Sequence, residues 1–173
     1  KSNELSAQGV DVVNMSVGEP DFNTPDYVKK AAVEAVEQNY SKYSPVPGYM
    51  WLRKACADKL KRENNLDYAP AEILVSTGAK QSLCNVIMAI INPGDEVLLP
   101  SPCWVSYPEM VKLAGGVPVV IKAGIDQDFK VTAAQVEAAI TPKTKAIMIC
   151  SPSNPTGSVY TKIARSEERR VGK

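Results

Sequence analysis

The residues best equipped for chemistry are Ser76-Thr77-Gly78-Ala79-Lys80-Gln81. A short apolar run, Ile73-Leu74-Val75, stops there. Leu83, Val86, Ile87, Ile90 and Ile91 then recur at the spacing of one helix face. A strand that enters a helix through glycine leaves the first helical N–H groups without partners. With the positive end of the helix dipole, those donors form a seat for a phosphate. Gly78 lets the backbone turn tightly and come close to a ligand. Such corners are also common as plain structure, so other groups must point to the same place.

Two further loops do. Pro100-Ser101-Pro102-Cys103-Trp104 follows the apolar run Val97–Leu99 and puts a tryptophan at a helix entrance. Ser151-Pro152-Ser153-Asn154-Pro155-Thr156-Gly157 follows Ala146–Ile149 and presents an amide side chain between prolines. In doubly wound sheets ligands bind beyond the carboxyl ends of the strands, where these loops lie. A phosphate seat, a flat aromatic and an amide at one sheet edge suit a planar, phosphorylated heteroaromatic ligand. Trp104 could stack on its ring and Asn154 could hydrogen-bond a ring oxygen. Each residue also has a plainer reading: Trp104 as core, Asn154 as a turn former before proline.

The elements that must carry these loops follow from pattern. Ile73–Ser76, Val97–Leu99, Val117–Ile121 and Ala146–Ile149 are short apolar runs that predict strands. Helical patterns lie between them at 79–91, 104–114 and 132–140, the last opening on the capping box Thr132-Ala133-Ala134-Gln135. Alternating strand and helix, with strands apolar throughout, predicts an α/β fold of three layers: a mostly parallel sheet with helices on both faces. Asn92-Pro93-Gly94-Asp95 reads as a plain turn. Upstream, residues 4–9 read as the end of a helix closing at Gly9, and Val10 to Val17 as an apolar–polar alternation. The next helix is expected to use Thr24 as N-cap and Pro25 as its first helical residue, with Val28, Ala31, Ala32, Ala35 and Val36 as its stripe. A helix at about 49–64 is expected to bury Leu52, Ala55, Cys56 and Leu60. The charged stretch 163–173 lacks a core-facing stripe, looks foreign to the fold, and carries no functional argument.

Composition bounds the rest. A chain of 173 residues can bury roughly 70% of its unfolded surface. Twenty basic and 19 acidic residues leave a net charge of +1, which makes no electrostatic case for nucleic acid or an anionic membrane. Nothing approaches the ~20 apolar residues that span a bilayer, and nothing at the N-terminus reads as a secretory signal. Cys56, Cys84, Cys103 and Cys150 are scattered and the chain has no histidine, so no metal site is expected. Reduced, inert thiols in a cytoplasmic protein fit best.

Gly18-Glu19-Pro20-Asp21-Phe22, Lys42-Tyr43-Ser44-Pro45 with Gly48, Thr77-Gly78-Ala79-Lys80-Gln81, Pro102-Cys103-Trp104-Val105-Ser106-Tyr107-Pro108 and Asn154-Pro155-Thr156-Gly157 occur here in that order. Together they resemble the first half of a class I, fold-type-I aminotransferase, most nearly the bacterial aspartate aminotransferases, over about residues 4–162. The resemblance implies pyridoxal 5′-phosphate as cofactor, with an amino acid and a 2-oxo acid as substrates. It implies that the backbone of Gly78, Ala79 and Lys80 holds the cofactor phosphate. Trp104 would stack on the pyridine ring, and Asn154 would bond the phenolic oxygen and help orient the substrate carboxylate. Gly18 would offer its backbone to the substrate, and Tyr43 would reach the phosphate of a neighbouring subunit, which implies a homodimer. It also divides the chain into 1–22, part of a small domain, and 23–162, the first half of a cofactor-binding large domain. Cys103, where relatives commonly carry tyrosine, and Trp51, where a polar residue is usual, depart from the pattern and read as packing changes.

Transamination also needs a lysine amine at the substrate α-carbon, an acidic partner for the pyridinium nitrogen and a basic clamp for the α-carboxylate. The resemblance puts all three further along, and no Ser-x-x-Lys occurs in these residues, so the chain by itself is expected to be inactive. Lys80 is expected to point its ammonium into solvent. Other fold-type-I reactions (elimination, decarboxylation, closure of an aminocyclopropane) remain open, since residues elsewhere decide among them. A nucleotide-binding module is a further alternative, though neither G-x-G-x-x-G nor G-x-x-x-x-G-K-[ST] is present.

Overall fold

The structure, a computed structural model, describes residues 1–13, 18, 20 and 22–161. Contacts divide the chain into two units, Lys1–Tyr49 and a second beginning at Met50. In the first unit, α1 (Ser2–Ala7) and α2 (Asp26–Glu37) end alike. Gly9 at φ +79 follows α1 and Asn39 at φ +61 follows α2. The N–H of Val10 reaches the Leu5 carbonyl at 3.1 Å, and that of Tyr40 reaches the Ala35 carbonyl at 3.0 Å. Both are six-to-one C-terminal caps. The start of α2 differs from expectation. Pro25, not Thr24, is the N-cap, no side chain caps the helix, and Asp26 is its first residue. Val28 and Val36, on the expected stripe, are exposed. Residues 14–17 of the alternation at 10–17 lie outside the described residues, as does the charged stretch 163–173.

The second unit carries the sheet. Its strands are β1 (Glu96–Ser101), β2 (Val117–Lys122) and β3 (Thr144–Ile147), all parallel, in the order β2-β1-β3. The helices are α3 (Met50–Asn64), α4 (Gly78–Ile90), α5 (Ser106–Leu113) and α6 (Ala133–Ala139). β1 is central and its apolar run explains why. Val97, Leu98 and Leu99 are each at most 1% exposed, so both faces of the strand are covered. Alternate residues go to opposite faces. Val97 and Leu99 pack with Ile87 and Ile91 at the end of α4 and with Tyr107 and Val111 of α5. Leu98 packs with Ile121, Val131, Tyr160 and Val136 of α6. Helices therefore lie on both sides of a parallel sheet, as expected. Each large side chain so buried contributes about 1.5–3 kcal/mol.

Local signals hold where they are self-contained. Thr132 caps α6 by accepting from the Gln135 N–H at 3.3 Å, while Gln135 Oε1 accepts from the Thr132 N–H at 2.9 Å. The Asn92–Asp95 turn closes with the Asp95 N–H on the Asn92 carbonyl at 3.0 Å. The run Ile73–Ser76 does not join the sheet. Among the described residues no strand pairs with it; instead Arg53 Nε donates to the Ile73 carbonyl at 2.9 Å, and Leu74 is exposed. Composition can favour a strand, but only a neighbouring strand makes one. On α3 the buried residue is Ala57, while Leu52, Cys56 and Leu60 are half-buried and Ala55 is exposed. Helix α5 starts later than expected, leaving Trp104 in the turn before it. Among the described residues no helix is long and apolar enough to cross a membrane.

Candidate functional site

The corner before α4 is built by its own backbone. Gly78 takes φ +75, the left-handed region that glycine enters without strain. A Cβ added there would meet nothing within 4 Å, so the requirement is conformational and not steric. The Gly78 N–H turns back to donate to the Ser76 carbonyl at 2.9 Å, and the Thr77 N–H donates to Gln81 Oε1. Of the three backbone donors expected at the seat, Gly78's is thus engaged inside the corner. Those of Ala79 and Lys80 have no partner among the described residues. They lie at the positive end of a 13-residue helix, where an anion is stabilised. Ser76 Oγ, two residues before Gly78 in the chain, is buried and also lacks a partner among the described residues.

Lys80 makes a contact that the sequence reading did not include. The residue is exposed, as expected, but its ammonium also sits over the Trp104 ring, 4.7 Å from the centroid. The negative face of an indole attracts a cation by about 0.5–1 kcal/mol at exposed sites, enough to bias a flexible side chain. This contact ties the glycine corner to the loop beyond β1. Trp104 itself is half-buried against the core cluster of α4, β1 and α5. Tyr107, one turn later, meets it edge-to-face at 5.7 Å and 86°. Trp104 is therefore part of the core, while its ring also meets the Lys80 ammonium.

Tyr107 is buried, and burial pushes its hydroxyl up to about 12, with the neighbouring Cys150 thiol adding to the effect. Burial likewise pushes the Cys103 thiol up. All four cysteines are free and half-buried.

Asn154 is held by a loop that closes on itself. The Ser153 N–H donates to the Ser158 carbonyl at 2.9 Å, and the Gly157 N–H to the Ser153 carbonyl at 2.8 Å. Ser151 Oγ accepts from the Tyr160 N–H at 3.1 Å. Asn154 is exposed, and its amide has no hydrogen-bond partner among the described residues. It lines a small cleft with Pro102, Cys103, Cys150 and Ser153, next to Trp104 in the chain. Lys80 and Trp104 are thus in contact, and Asn154 shares a cleft with the residues just before Trp104. Gly18 and Tyr43, both exposed, belong to the first unit.

Ser76, Gln81 and Tyr107 lie inside the motifs picked out from the sequence, which give them no role of their own: Ser76 has an orphaned hydroxyl, Gln81 holds the Thr77 N–H, and Tyr107 braces the indole. The last two had a signal in their spacing. Gln81 is four residues after Thr77, and Tyr107 three after Trp104, separations at which side chains meet across one helical turn.

Comparison with known proteins bears on the same residues. The family model described as aminotransferase class I and II matches residues 10–164. An aspartate aminotransferase of Bacillus sp. (strain YM-2) is 54% identical over 162 residues, which are 94% of this chain and 41% of that protein. An aspartate/prephenate aminotransferase of Cereibacter sphaeroides is 52% identical, over 94% of this chain and 40% of its own length. Among solved structures, the Thermus thermophilus aspartate aminotransferase with maleate superposes with a TM-score of 0.93 at 48% identity, covering 99% of this chain and 45% of that one. The Rhizobium meliloti aspartate aminotransferase gives 0.91 at 42% identity, covering 98% and 42%. The chain spans about two-fifths of the length of the curated relatives it matches. With its parallel α/β sheet and a match over nearly its whole length, the chain belongs to the class I and II aminotransferase family.

Proposed function

We propose that the full-length protein carrying this chain is an aminotransferase that uses pyridoxal 5′-phosphate to move an amino group from an amino acid, aspartate or glutamate, to a 2-oxo acid. The observation that carries this reading is the contact between Lys80 and Trp104, which joins the anion seat to a flat aromatic wall. The residues fit the cofactor's chemistry. Two open N–H groups, a helix N-terminus and an ammonium suit a phosphate dianion, and the indole suits a pyridine ring.

In this reading the N–H groups of Ala79 and Lys80 hold the phosphate, and the left-handed turn at Gly78 keeps them aimed. Trp104 stacks on the ring, braced by Tyr107. The free amide of Asn154 donates to the phenolic oxygen and helps orient the substrate carboxylate. Gly18 offers its backbone to the substrate, and Tyr43 reaches the phosphate of a second subunit in a homodimer. When bound, the cofactor supplies the electron sink for bond breaking at the substrate α-carbon. Residues 1–22 then belong to a small domain and 23–162 to the first half of a large one, in a cytoplasmic protein.

The test is an amino-transfer assay on the full-length protein, with aspartate or glutamate as donor and 2-oxoglutarate, oxaloacetate or prephenate as acceptor. The last is included because several relatives carry it in their names. Turnover that requires added pyridoxal phosphate is expected. Elimination or decarboxylation without amino transfer would contradict the reading.

A further inference from the structure

The hydroxyl of Ser76 is the one buried side-chain polar atom without a hydrogen-bond partner among the described residues. Leaving such a group unpaired costs about 1–3 kcal/mol, so an orphan in a folded protein points to a partner that arrives from elsewhere. Its place narrows the choice. Ser76 stands two residues before Gly78, and its own carbonyl accepts the Gly78 N–H at 2.9 Å, so its backbone belongs to the turn. The open N–H groups of Ala79 and Lys80 follow at once. All three unsatisfied groups of this stretch can donate, and a hydroxyl two residues before the turn with two backbone N–H groups just after it makes a set that suits a multiply charged oxyanion.

We propose that Ser76 is a further ligand of the phosphate seat, its hydroxyl donating to a phosphate oxygen alongside the N–H groups of Ala79 and Lys80. The inference rests on the cofactor reading above and adds to it a side-chain donor. It also carries a thermodynamic signature. A hydroxyl that is orphaned without ligand and satisfied with it contributes to ligand affinity and not to the stability of the ligand-free protein.

The experiment uses the full-length protein stripped of cofactor. Binding of pyridoxal 5′-phosphate, and of pyridoxal, which lacks the phosphate, is measured by fluorescence titration for wild type, Ser76→Ala and Ser76→Thr. Thermal unfolding of each ligand-free form is recorded beside it. Hydrogen bonds to charged groups are strong, so Ser76→Ala should weaken pyridoxal phosphate binding by about tenfold or more. It should leave pyridoxal binding unchanged and the ligand-free melting temperature equal or higher. Ser76→Thr, which keeps the hydroxyl, should restore most of the affinity. A Ser76→Ala protein that binds pyridoxal phosphate as wild type does would overturn the inference. So would one that melts lower without ligand, since the hydroxyl would then be bonded to another part of the protein. A wild-type protein that binds no pyridoxal phosphate would instead sink the functional reading itself.

Discussion

Replacing Gly78 by alanine isolates what the corner demands of its backbone. Gly78 sits at φ +75, yet a Cβ there meets nothing within 4 Å. The cost of alanine is therefore torsional. An L-residue in the left-handed region costs roughly 1–2 kcal/mol, while the stiffer unfolded chain returns about 0.4–1 kcal/mol. The net destabilisation should be about 1 kcal/mol, read as a lower urea midpoint of the ligand-free full-length protein at unchanged slope. Asparagine tolerates the left-handed region better, so Gly78→Asn should cost less although its side chain is larger. If the alanine variant escapes strain by rotating out of this region, the Ala79 and Lys80 N–H groups turn with it, and affinity for inorganic phosphate or pyridoxal phosphate falls. Equal midpoints and equal affinities for glycine, alanine and asparagine would refute the reasoning, as would asparagine costing more than alanine.

Gly116→Ala should destabilise by another mechanism, because its Cβ would lie 2.6 Å from Ile91 Cγ2, 3.0 Å from Val111 Cγ1 and 3.1 Å from the Asp95 carbonyl oxygen. Overpacking of this kind costs about 1–3 kcal/mol, and a melt no different from wild type would contradict it. Thr132→Ala removes the N-cap of α6 and should cost about 1 kcal/mol in urea unfolding. Tyr107 has its hydroxyl pushed up to about 12 by burial, above the ordinary value of about 10. The fold thus favours the neutral phenol; that stability is whole below pH 10 and is lost as pH rises from about 10 through about 12. Tyr107→Phe should flatten this alkaline decline in denaturant midpoint. Lys80→Met removes the cation over the indole and should shift the tryptophan emission attributable to Trp104, measured against Trp104→Phe.

The sheet was legible because its strands declare themselves locally. Val97–Leu99 reads as a strand covered on both faces, and β1 is buried on both. The capping box at Thr132 is a contract between residues three apart, so it needs no tertiary knowledge. Ile73–Ser76 has the same apolar composition and yet forms no ladder, since pairing depends on a partner strand that local sequence cannot name. The cap at Thr24 shifted by one residue because Pro25, with its fixed φ and extended ψ of 143, serves as the boundary itself. At the candidate site, residue types were readable and contacts were not. Lys80 is exposed, as expected once the resemblance places the reactive lysine further along, but its seat over Trp104 follows from α4 packing beside α5. The orphaned Ser76 hydroxyl could not be read from sequence at all, since burial without a partner is a property of the packed corner.

The most direct measurement is a crystal structure of the full-length protein with pyridoxal 5′-phosphate bound. The expected result has phosphate oxygens at hydrogen-bond distance, roughly 2.7–3.2 Å, from the Ala79 and Lys80 nitrogens, the pyridine ring stacked on the Trp104 indole, and the Asn154 amide on the phenolic oxygen. A phosphate bound away from the corner at Gly78, or an indole and amide turned from the ring, would contradict it.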